Sequence, residues 1–310
     1  MAECKFISCF SYKGGAGRST LAINVVPYLV EKLGATEDHP LVLIDMDVDS
    51  CGITYLFNLH KDERIKKDNV QNWFDPTSFN LPLVDDDDEI ESAKEHNMLR
   101  KLFPVGAYFN TEPGAVLCLP SNPGSKFSKG NNYDSEPSDN LAKFKKSVKD
   151  IAVGVLFDSA VGDQLGAIWS NHYSKYILCC MRPTKQFRAG TKRFFELFDK
   201  KMVSKNIIVV PNVVPTDKLS IADADDSSII NQYPDHAKRE ILKDFGSDSK
   251  SGSNNKYILD LLDGDKFGVP KVDRFMWQEG VLRNEKNLSE LERVALKRYA
   301  EIATIIANAD

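Results

Sequence analysis

The sequence predicts an α/β fold in which a mostly parallel, doubly wound sheet carries helices on both faces. Short apolar runs of the kind that form buried parallel strands alternate with segments of helical periodicity. A glycine-rich turn joins the first strand to the first helix. Several apolar runs end in aspartate or asparagine, and ligands of open α/β sheets bind at the carboxyl ends of strands. The predicted strands, some with their exit turns, are Lys5–Ser11, Leu41–Ile44, Ala115–Pro120, Asp150–Ser159, Tyr176–Thr184 and Asn206–Pro215.

Length and composition favour one large domain. The 310 residues fit a single α/β domain over residues 1–310, with an elaboration at about 59–150, where the periodic signal weakens. Hydrophobic residues make up 42% of the chain and charged residues 27%, as in soluble globular proteins. The formal net charge of −5 gives no overall basic field for nucleic acid, and no apolar run reaches the length of a membrane span.

The start of the chain and its cysteines favour a cytoplasmic protein. A charged residue and the first strand follow the N-terminus too soon for a signal peptide. The six cysteines contain no C-x-x-C pair. We therefore expect reduced, mostly buried thiols rather than metal ligands.

The turn after the first strand has the composition of a phosphate-binding loop. It contains Gly14, Gly15 and Gly17 and leads into a helix predicted over Ser19–Leu33. Glycines let successive backbone N–H groups converge on one anion, and the helix adds its unpaired N–H groups and the positive end of its dipole. Ser19 stands where a hydroxyl would bind Mg²⁺. The alternative is a glycine-rich turn without a ligand.

The loop departs from the general pattern G-x-x-x-x-G-K-[ST], because Tyr12 replaces its first glycine and Arg18 replaces its lysine. Its own pattern, K-G-G-x-G-R-S, resembles the deviant Walker A loop of the ParA/MinD family of P-loop ATPases, K-G-G-x-G-K-[ST]. Lys13 matches the additional lysine at the start of that loop. The resemblance implies a P-loop NTPase fold and binding of ATP with Mg²⁺ by Lys13, Gly14, Gly15, Ala16, Gly17, Arg18, Ser19 and Thr20.

Acidic residues follow the second predicted strand. Asp45, Asp47 and Asp49 lie in a segment that resembles switch I of the ParA/MinD family. By that resemblance Asp47 is catalytic and positions the attacking water, while Asp45 acts on the metal through the Mg²⁺ shell. The alternative is that these acids cap the next helix or bind solvent, and we expect this role for Asp49.

Two further residues complete the implied site. Asp158 ends an apolar strand, as in a Walker B motif, and would reach Mg²⁺ through water while bonding to Ser19. Asp158 and Ser159 resemble the family's D-[ST] sequence, although its usual prolines are missing. Asn212 matches the family's asparagine whose amide contacts the adenine edge. Its alternative role is that of an asparagine in a turn between two prolines.

The resemblance implies an ATPase that positions or partitions a cellular cargo. In the ParA/MinD family, ATP joins two copies into a homodimer, and the first loop lysine, here Lys13, acts on the phosphates of the other copy. The implied partners are an activator or a cargo-adaptor protein, and non-specific DNA stays open. Arg18 replaces the compact ammonium of the family's lysine with a planar guanidinium, so two functions remain open. One is an ATPase with slow hydrolysis, and the other is a nucleotide-binding scaffold with little or no hydrolysis.

The remaining segments yield structural predictions. The closing helix, Leu288–Ala307, lacks lysines and bulky aromatics in its last turns, so we expect it to pack on the domain rather than bind a membrane. Gly268–Arg274 is predicted to form a last short strand. Residues 85–89 form an acidic run, and residues 121–139 and 243–255 have the composition of surface loops. The lysines from Lys126 to Lys149 predict an exposed helix face, with contact to an anionic partner as the alternative.

Overall fold

The computed structural model describes residues 3–77, 98–127, 139–202, 205–214, 237–245, 256–258, 268–276 and 280–309. Its strands are β1 (Lys5–Ser11), β2 (Leu41–Asp45), β3 (Phe103–Pro104), β4 (Val116–Leu119), β5 (Gly154–Val161), β6 (Tyr176–Met181), β7 (Asn206–Pro211) and β8 (Lys256–Ile258). Within this part of the chain they form one eight-stranded sheet in the order β3-β4-β2-β5-β1-β6-β7-β8. Only β3 pairs antiparallel, with β4. The predicted mostly parallel sheet is confirmed.

Helices lie between successive strands. They are α1 (Arg18–Leu33), α2 (Gly52–Leu56), α3 (Val70–Phe74), α4 (Asp139–Val148), α5 (Leu165–Tyr173), α6 (Lys185–Met202), α7 (237–245) and α8 (Glu290–Asn308). Every residue of β2, β4 and β6 is buried. Since successive side chains of a strand point to opposite faces, both faces of the centre of the sheet are covered.

The register of the central strands brings three strand ends together. β1 lies between β5 and β6, and β2 lies on the far side of β5. Cys9 is opposite Asp158 in one pairing, and Asp158 is opposite Asp45 in the other. The carboxyl ends of β1, β2 and β5 therefore meet at one edge of the sheet. This is the edge where ligands bind in open α/β sheets.

The first helix starts directly after the glycine-rich turn and is covered by the last helix. Gly17 precedes α1 with a φ of 79°, and Gly34 follows it with a φ of 69°. Both angles are left-handed and favour glycine. α8 begins with a capping box between Ser289 and Glu292 and packs against α1. The closing helix therefore packs on the domain, as predicted.

The described part of the chain contains no helix that is long and apolar enough to cross a membrane. All six cysteines lie within the described residues and are buried, free thiols. Their burial was predicted, and the absence of metal ligation stays a prediction. Burial raises the pKa of the Cys4 and Cys180 thiols to about 12, so these side chains stay protonated at neutral pH.

Two predicted strands differ from the observed ones. β5 starts at Gly154 rather than Asp150, because α4 and the turn after it occupy the preceding residues. The strand predicted over Gly268–Arg274 is wrong, since only an isolated bridge between Val214 and Pro270 forms there. Gly268 has a φ of 62° and proline lacks an N–H donor, so neither supports a ladder.

Other elements escaped prediction or lie outside the described residues. The edge strand on this side of the sheet is β8. Residues 243–245, which were predicted as part of a loop, form the last residues of helix α7. Every residue from Leu165 to Asn171 in α5 is buried, so this helix has no polar face to reveal its period. The acidic run 85–89 and residues 128–138 and 246–255 lie outside the described residues.

Candidate functional site

The glycine-rich loop connects the end of β1 to the start of α1 and requires glycine at two positions. Gly15 and Gly17 have φ angles of 80° and 79°. A Cβ atom on Gly17 would lie 2.8 Å from Nδ2 of Asn212. The left-handed backbone and this close approach together exclude a side chain at position 17.

The carbonyl groups of the loop face the ends of β6 and β7. Nδ2 of Asn212 donates to the Ala16 carbonyl at 2.8 Å and to the Gly17 carbonyl at 3.3 Å. Nε of Arg182 donates to the Gly15 carbonyl at 2.7 Å, and the Cys180 thiol donates to the Ala16 carbonyl at 3.2 Å. These bonds fix the loop from the sheet side.

The loop also contains N–H groups that have no acceptor within the described part of the chain. None of the N–H groups of Gly14, Gly15, Ala16 and Gly17 donates a hydrogen bond to any residue that the structure describes. The N-terminus of α1 follows immediately, and its first turn contains no acidic residue. Backbone donors without acceptors ahead of a helix N-terminus form an anion-binding site.

The hydroxyl of Ser19 joins the first turn of α1 to the end of β5. Its Oγ donates to Oδ2 of Asp158 at 2.6 Å. The other carboxylate oxygen, Oδ1, is buried and has no hydrogen-bond partner among the described residues. Burial raises the pKa of Asp158 above the ordinary value, and the nearby Arg18 and the Ser19 hydroxyl oppose that increase.

The Ser19 hydroxyl and Oδ1 of Asp158 fit Mg²⁺, a hard cation that prefers oxygen ligands. An unpartnered buried carboxylate oxygen beside a hydroxyl is the kind of group that a cation would satisfy. No three His, Cys, Asp or Glu side chains within the described ranges are placed to hold a metal ion directly. Protein Mg²⁺ sites commonly use one or two protein oxygens and complete the shell with water and phosphate oxygens.

Asp45 is fully buried at the end of β2. Its Oδ2 accepts hydrogen bonds from the backbone N–H and the hydroxyl of Thr54, at 3.0 and 2.7 Å, and its Oδ1 accepts one from Asp47 N–H. Burial and the neighbouring Asp158 carboxylate raise the pKa of Asp45 well above its ordinary value. The carboxyl is thus held beside Asp158 by α2. Its action on Mg²⁺ stays a prediction.

Asp47 is paired with the arginine of the loop. Nη2 of Arg18 donates to Oδ2 of Asp47 at 2.8 Å, and Nη1 donates to the carbonyl of Ser159. The side chains of Arg18 and Asp47 are only 10% and 6% exposed. Oδ1 of Asp47 accepts from Ser50 N–H at 3.2 Å. One guanidinium therefore joins α1 to the ends of β2 and β5.

Lys13 lies at the rim of the site. It is exposed, and its Nζ donates to Oε1 of Gln186 in α6 at 2.9 Å. It lines an open cleft of about 510 Å³ together with Tyr12 and the segment after β5. The structure thus separates the two cations of the loop: Arg18 faces the acidic strand ends and Lys13 faces solvent.

The other predicted residues have local partners. Thr20 is half-buried in the first turn of α1, and its carbonyl accepts a bond from Asn24. Asp49 pairs with Lys126 at 3.2 Å and accepts from Gln164 at 3.0 Å. The next helix has Cys51 as its N-cap residue and no side-chain cap, so Asp49 does not cap it, and its contact with solvent stays a prediction.

The sequence did not point to three residues that shape the site. Thr54 holds Asp45, Arg182 holds the loop, and a Cβ on Gly52 would lie 3.1 Å from Oγ of Ser19. Arg182 follows the apolar run of β6, so its position at the end of a strand could have identified it as a site residue. Thr54 and Gly52 belong to a helix that is too short to be predicted from a periodic pattern.

Solved structures share this fold. An aspartate-to-alanine variant of McdA from Cyanothece, in complex with ATP, matches with a TM-score of 0.57 and 12% identity, over 99% of this chain and 97% of that one. The septum site-determining protein MinD from Pyrococcus horikoshii OT3, complexed with Mg-ADP, matches with a TM-score of 0.53 and 14% identity, over 99% and 100%.

A third match is a plasmid partition protein from Borrelia burgdorferi B31 bound to AMPPNP. Its TM-score is 0.55 with 15% identity, over 98% of each chain. No protein-family model matches the sequence, and no curated protein sequence matches it either. The chain therefore has the P-loop NTPase fold of ParA/MinD-type ATPases.

Proposed function

We propose that this chain is a cytoplasmic ATPase of the ParA/MinD type that binds ATP with Mg²⁺, hydrolyses it slowly and dimerises in its ATP-bound form. One observation carries this proposal: four consecutive N–H groups of the loop, from Gly14 to Gly17, have no acceptor among the described residues and lie directly ahead of α1. A triphosphate has the charge and the oxygen atoms that such donors bind. Ser19 and Asp158 lie beside them and fit the metal that accompanies the phosphates.

The remaining residues take roles that suit phosphoryl transfer, which depends on positioning and charge stabilisation. The loop binds and orients the phosphates. Arg18 neutralises their charge, Asp47 orients the attacking water, and Asn212 contacts the base while it fixes the loop. Lys13 acts across the dimer interface on the phosphates of the second copy, which its exposure supports.

When bound, Mg²⁺ neutralises phosphate charge. Ser19 and Asp158 would hold it, Ser19 directly and Asp158 through water, with Asp45 behind them. The pKa values of the Asp45 and Asp158 carboxyls are raised in the structure. A cation next to them would lower both values, because an opposite charge favours the ionised form.

The proposed cellular role is to position or partition a cargo, together with an activator or an adaptor protein. Its support is the fold shared with a septum site-determining protein and a plasmid partition protein. The surface that the dimer would occupy stays open, with non-specific DNA as one candidate.

A second function is favoured by one contact. Asp47 is already paired with Arg18, so the carboxylate that would orient water is occupied. A chain that keeps this pair when ATP is bound would act as a nucleotide-dependent scaffold without appreciable hydrolysis.

The nucleotide part is tested by titrating the purified protein with a fluorescent ATP analogue, in Mg²⁺ and in EDTA. We expect binding that requires Mg²⁺ and weakens at least about tenfold in Ser19→Ala, the usual effect of disturbing a metal site. Ser147→Ala, a substitution in α4 away from the loop, is the matched control and should bind as the wild type does. Equal binding by Ser19→Ala, or no binding by the wild type, contradicts the proposal.

A further inference from the structure

A groove of about 1520 Å³ lies at the amino-terminal ends of the central strands, on the side of the sheet opposite the glycine-rich loop. Its walls are the first residues of β1, the segments that lead into β2 and β5, and the ends of α1, α4, α5 and α8. None of the residues assigned to nucleotide binding lines it.

The groove has a surplus of positive charge. Two acidic residues, Glu3 and Asp150, line it together with six lysines, Lys5, Lys32, Lys145, Lys146, Lys149 and Lys175. A helix C-terminus carries about half a negative charge, so the four helix ends offset about two of these cations. A net positive field remains, although the chain as a whole has a formal charge of −5.

Only part of this charge is used by the fold. Nζ of Lys5 donates to the Ala309 carbonyl at 2.6 Å, and Nζ of Lys145 donates to the Tyr173 carbonyl at 2.9 Å. These two lysines close helix ends and have a structural role.

The other four lysines remain available at the rim. Lys149 and Lys175 form long ion pairs with the two acids, at 3.6 and 3.5 Å, and the side chain of Lys149 is exposed while that of Lys175 is partly exposed. Such pairs contribute only about 0–1 kcal/mol and are readily exchanged. Lys32 and Lys146 are exposed and make no ion pair with any residue in the described ranges.

The floor of the groove is apolar. Leu33, Val153 and Tyr173 pack on the core but stay half-buried, and the ring of Phe6 lies 4.7 Å from the Lys145 ammonium. Pockets for small molecules usually span about 300–1,000 Å³, so this groove exceeds a small-molecule site. It combines a lysine rim with an apolar floor and room for a chain segment.

We propose that this groove binds an acidic peptide segment of a partner protein, with carboxylates on the lysine rim and apolar side chains on the floor. A flat bilayer or a DNA duplex could reach the rim but not the floor between the helix ends. Because the groove and the glycine-rich loop occupy opposite edges of the sheet, the partner can bind whether or not a nucleotide is present.

The test is fluorescence anisotropy of the full-length protein with a labelled synthetic peptide in which glutamates alternate with leucine and phenylalanine. We expect saturable binding that weakens with added salt and falls by about tenfold or more in Lys146→Glu/Lys149→Glu. Lys32→Glu, on another wall, should weaken binding independently. The matched control Lys67→Glu/Lys286→Glu changes two exposed lysines outside the groove and should bind as the wild type does.

Three outcomes overturn the proposal. They are the absence of binding, equal binding by a peptide with serine in place of the apolar residues, and equal loss in the control variant. A DNA duplex or phosphatidylserine vesicles that bind when the peptide does not, with loss in Lys146→Glu/Lys149→Glu, would assign the groove to those partners instead. ATP binding by the same preparation, measured in parallel, separates this result from a failure of the proposed function.

Discussion

The guanidinium of Arg18 contacts the carboxylate of Asp47 at 2.8 Å, and the same guanidinium donates to the carbonyl of Ser159. Both side chains of the ion pair are nearly buried, so removing one partner leaves an unpaired charge at a cost of about 3–5 kcal/mol. Under the proposed function, Asp47 would orient water only after Arg18 had turned to another anion. Phosphates bound in the loop would be such an anion, so we propose that the pair links nucleotide binding to the release of Asp47.

The first prediction concerns Arg18→Lys. A lysine ammonium has no planar fork, so it cannot hold the Asp47 carboxylate and the Ser159 carbonyl in the same geometry. We expect phosphate release with Mg-ATP to rise about tenfold, equivalent to about 1.4 kcal/mol in the barrier. Phosphate release is measured at saturating ATP, so that a change in affinity does not contribute.

The control for this prediction is Asp47→Asn in both backgrounds, which should remove the gain. If Arg18→Lys binds ATP yet releases phosphate no faster than the wild type, the pair does not restrain hydrolysis. That outcome would remove the contact on which the scaffold function rests.

The sequence was sufficient to predict the centre of the fold. Parallel strands buried on both faces appear as continuous apolar runs, so β1, β2, β4 and β6 were predicted within a few residues. The two edge strands were harder to predict, because Phe103–Pro104 and Lys256–Ile258 are too short to show a periodic pattern of apolar residues. The strand expected at Gly268–Arg274 failed because a glycine with positive φ and a proline interrupt it.

The site was predictable as a set of positions and in one contact, the hydrogen bond between Ser19 and Asp158, which is confirmed. Strand order alone brings Ser19, Asp45 and Asp158 to one edge of the sheet. The pairing of Arg18 with Asp47 depends on side-chain directions, which no spacing in the sequence reports. The same holds for Asn212, whose Nδ2 bonds to the loop carbonyls, so its amide also has a structural role.

The second prediction concerns Lys13→Ala. Since Lys13 is exposed and the only described hydrogen bond of its side chain is to Gln186, removal of that side chain should leave folding and ATP binding intact. We expect loss of the ATP-dependent dimer in light scattering coupled to size exclusion. Lys67→Ala, another exposed lysine, should dimerise normally. A dimer of unchanged stability in Lys13→Ala would rule out a role for this residue across the interface.

The third prediction compares two glycines of the loop. Gly17→Ala places a Cβ 2.8 Å from Asn212 at a φ of 79°, so we expect a loss of about 1–3 kcal/mol in the free energy of unfolding. Gly14→Ala has open space around its Cβ and should cost little. Urea denaturation of both variants gives the comparison. Equal stability of the two variants would show that the loop relaxes away from Asn212.

The last prediction concerns pH and Asp45. Burial and Asp158 raise the pKa of Asp45 from 3.8 to about 8, whereas that of Asp158 rises to about 6. A raised native pKa means that the folded state binds more protons than the unfolded state. The stability that this extra proton binding contributes is fully present below the pKa of the unfolded state and is lost as the pH rises through the pKa of the folded state. Between pH 6 and 8, the buried pair of Asp45 and Asp158 therefore accounts for this loss.

We expect the free energy of unfolding to fall over that range by up to about 1.4 kcal/mol per pH unit in the nucleotide-free protein. Asp45→Asn cannot ionise and should show a flatter profile, measured by urea denaturation at each pH. Mg-ATP should flatten the wild-type profile as well, because the cation lowers the pKa of both carboxyls. A wild-type profile as flat as that of Asp45→Asn would mean that Asp45 is already ionised in the folded protein, held by its bonds to Thr54.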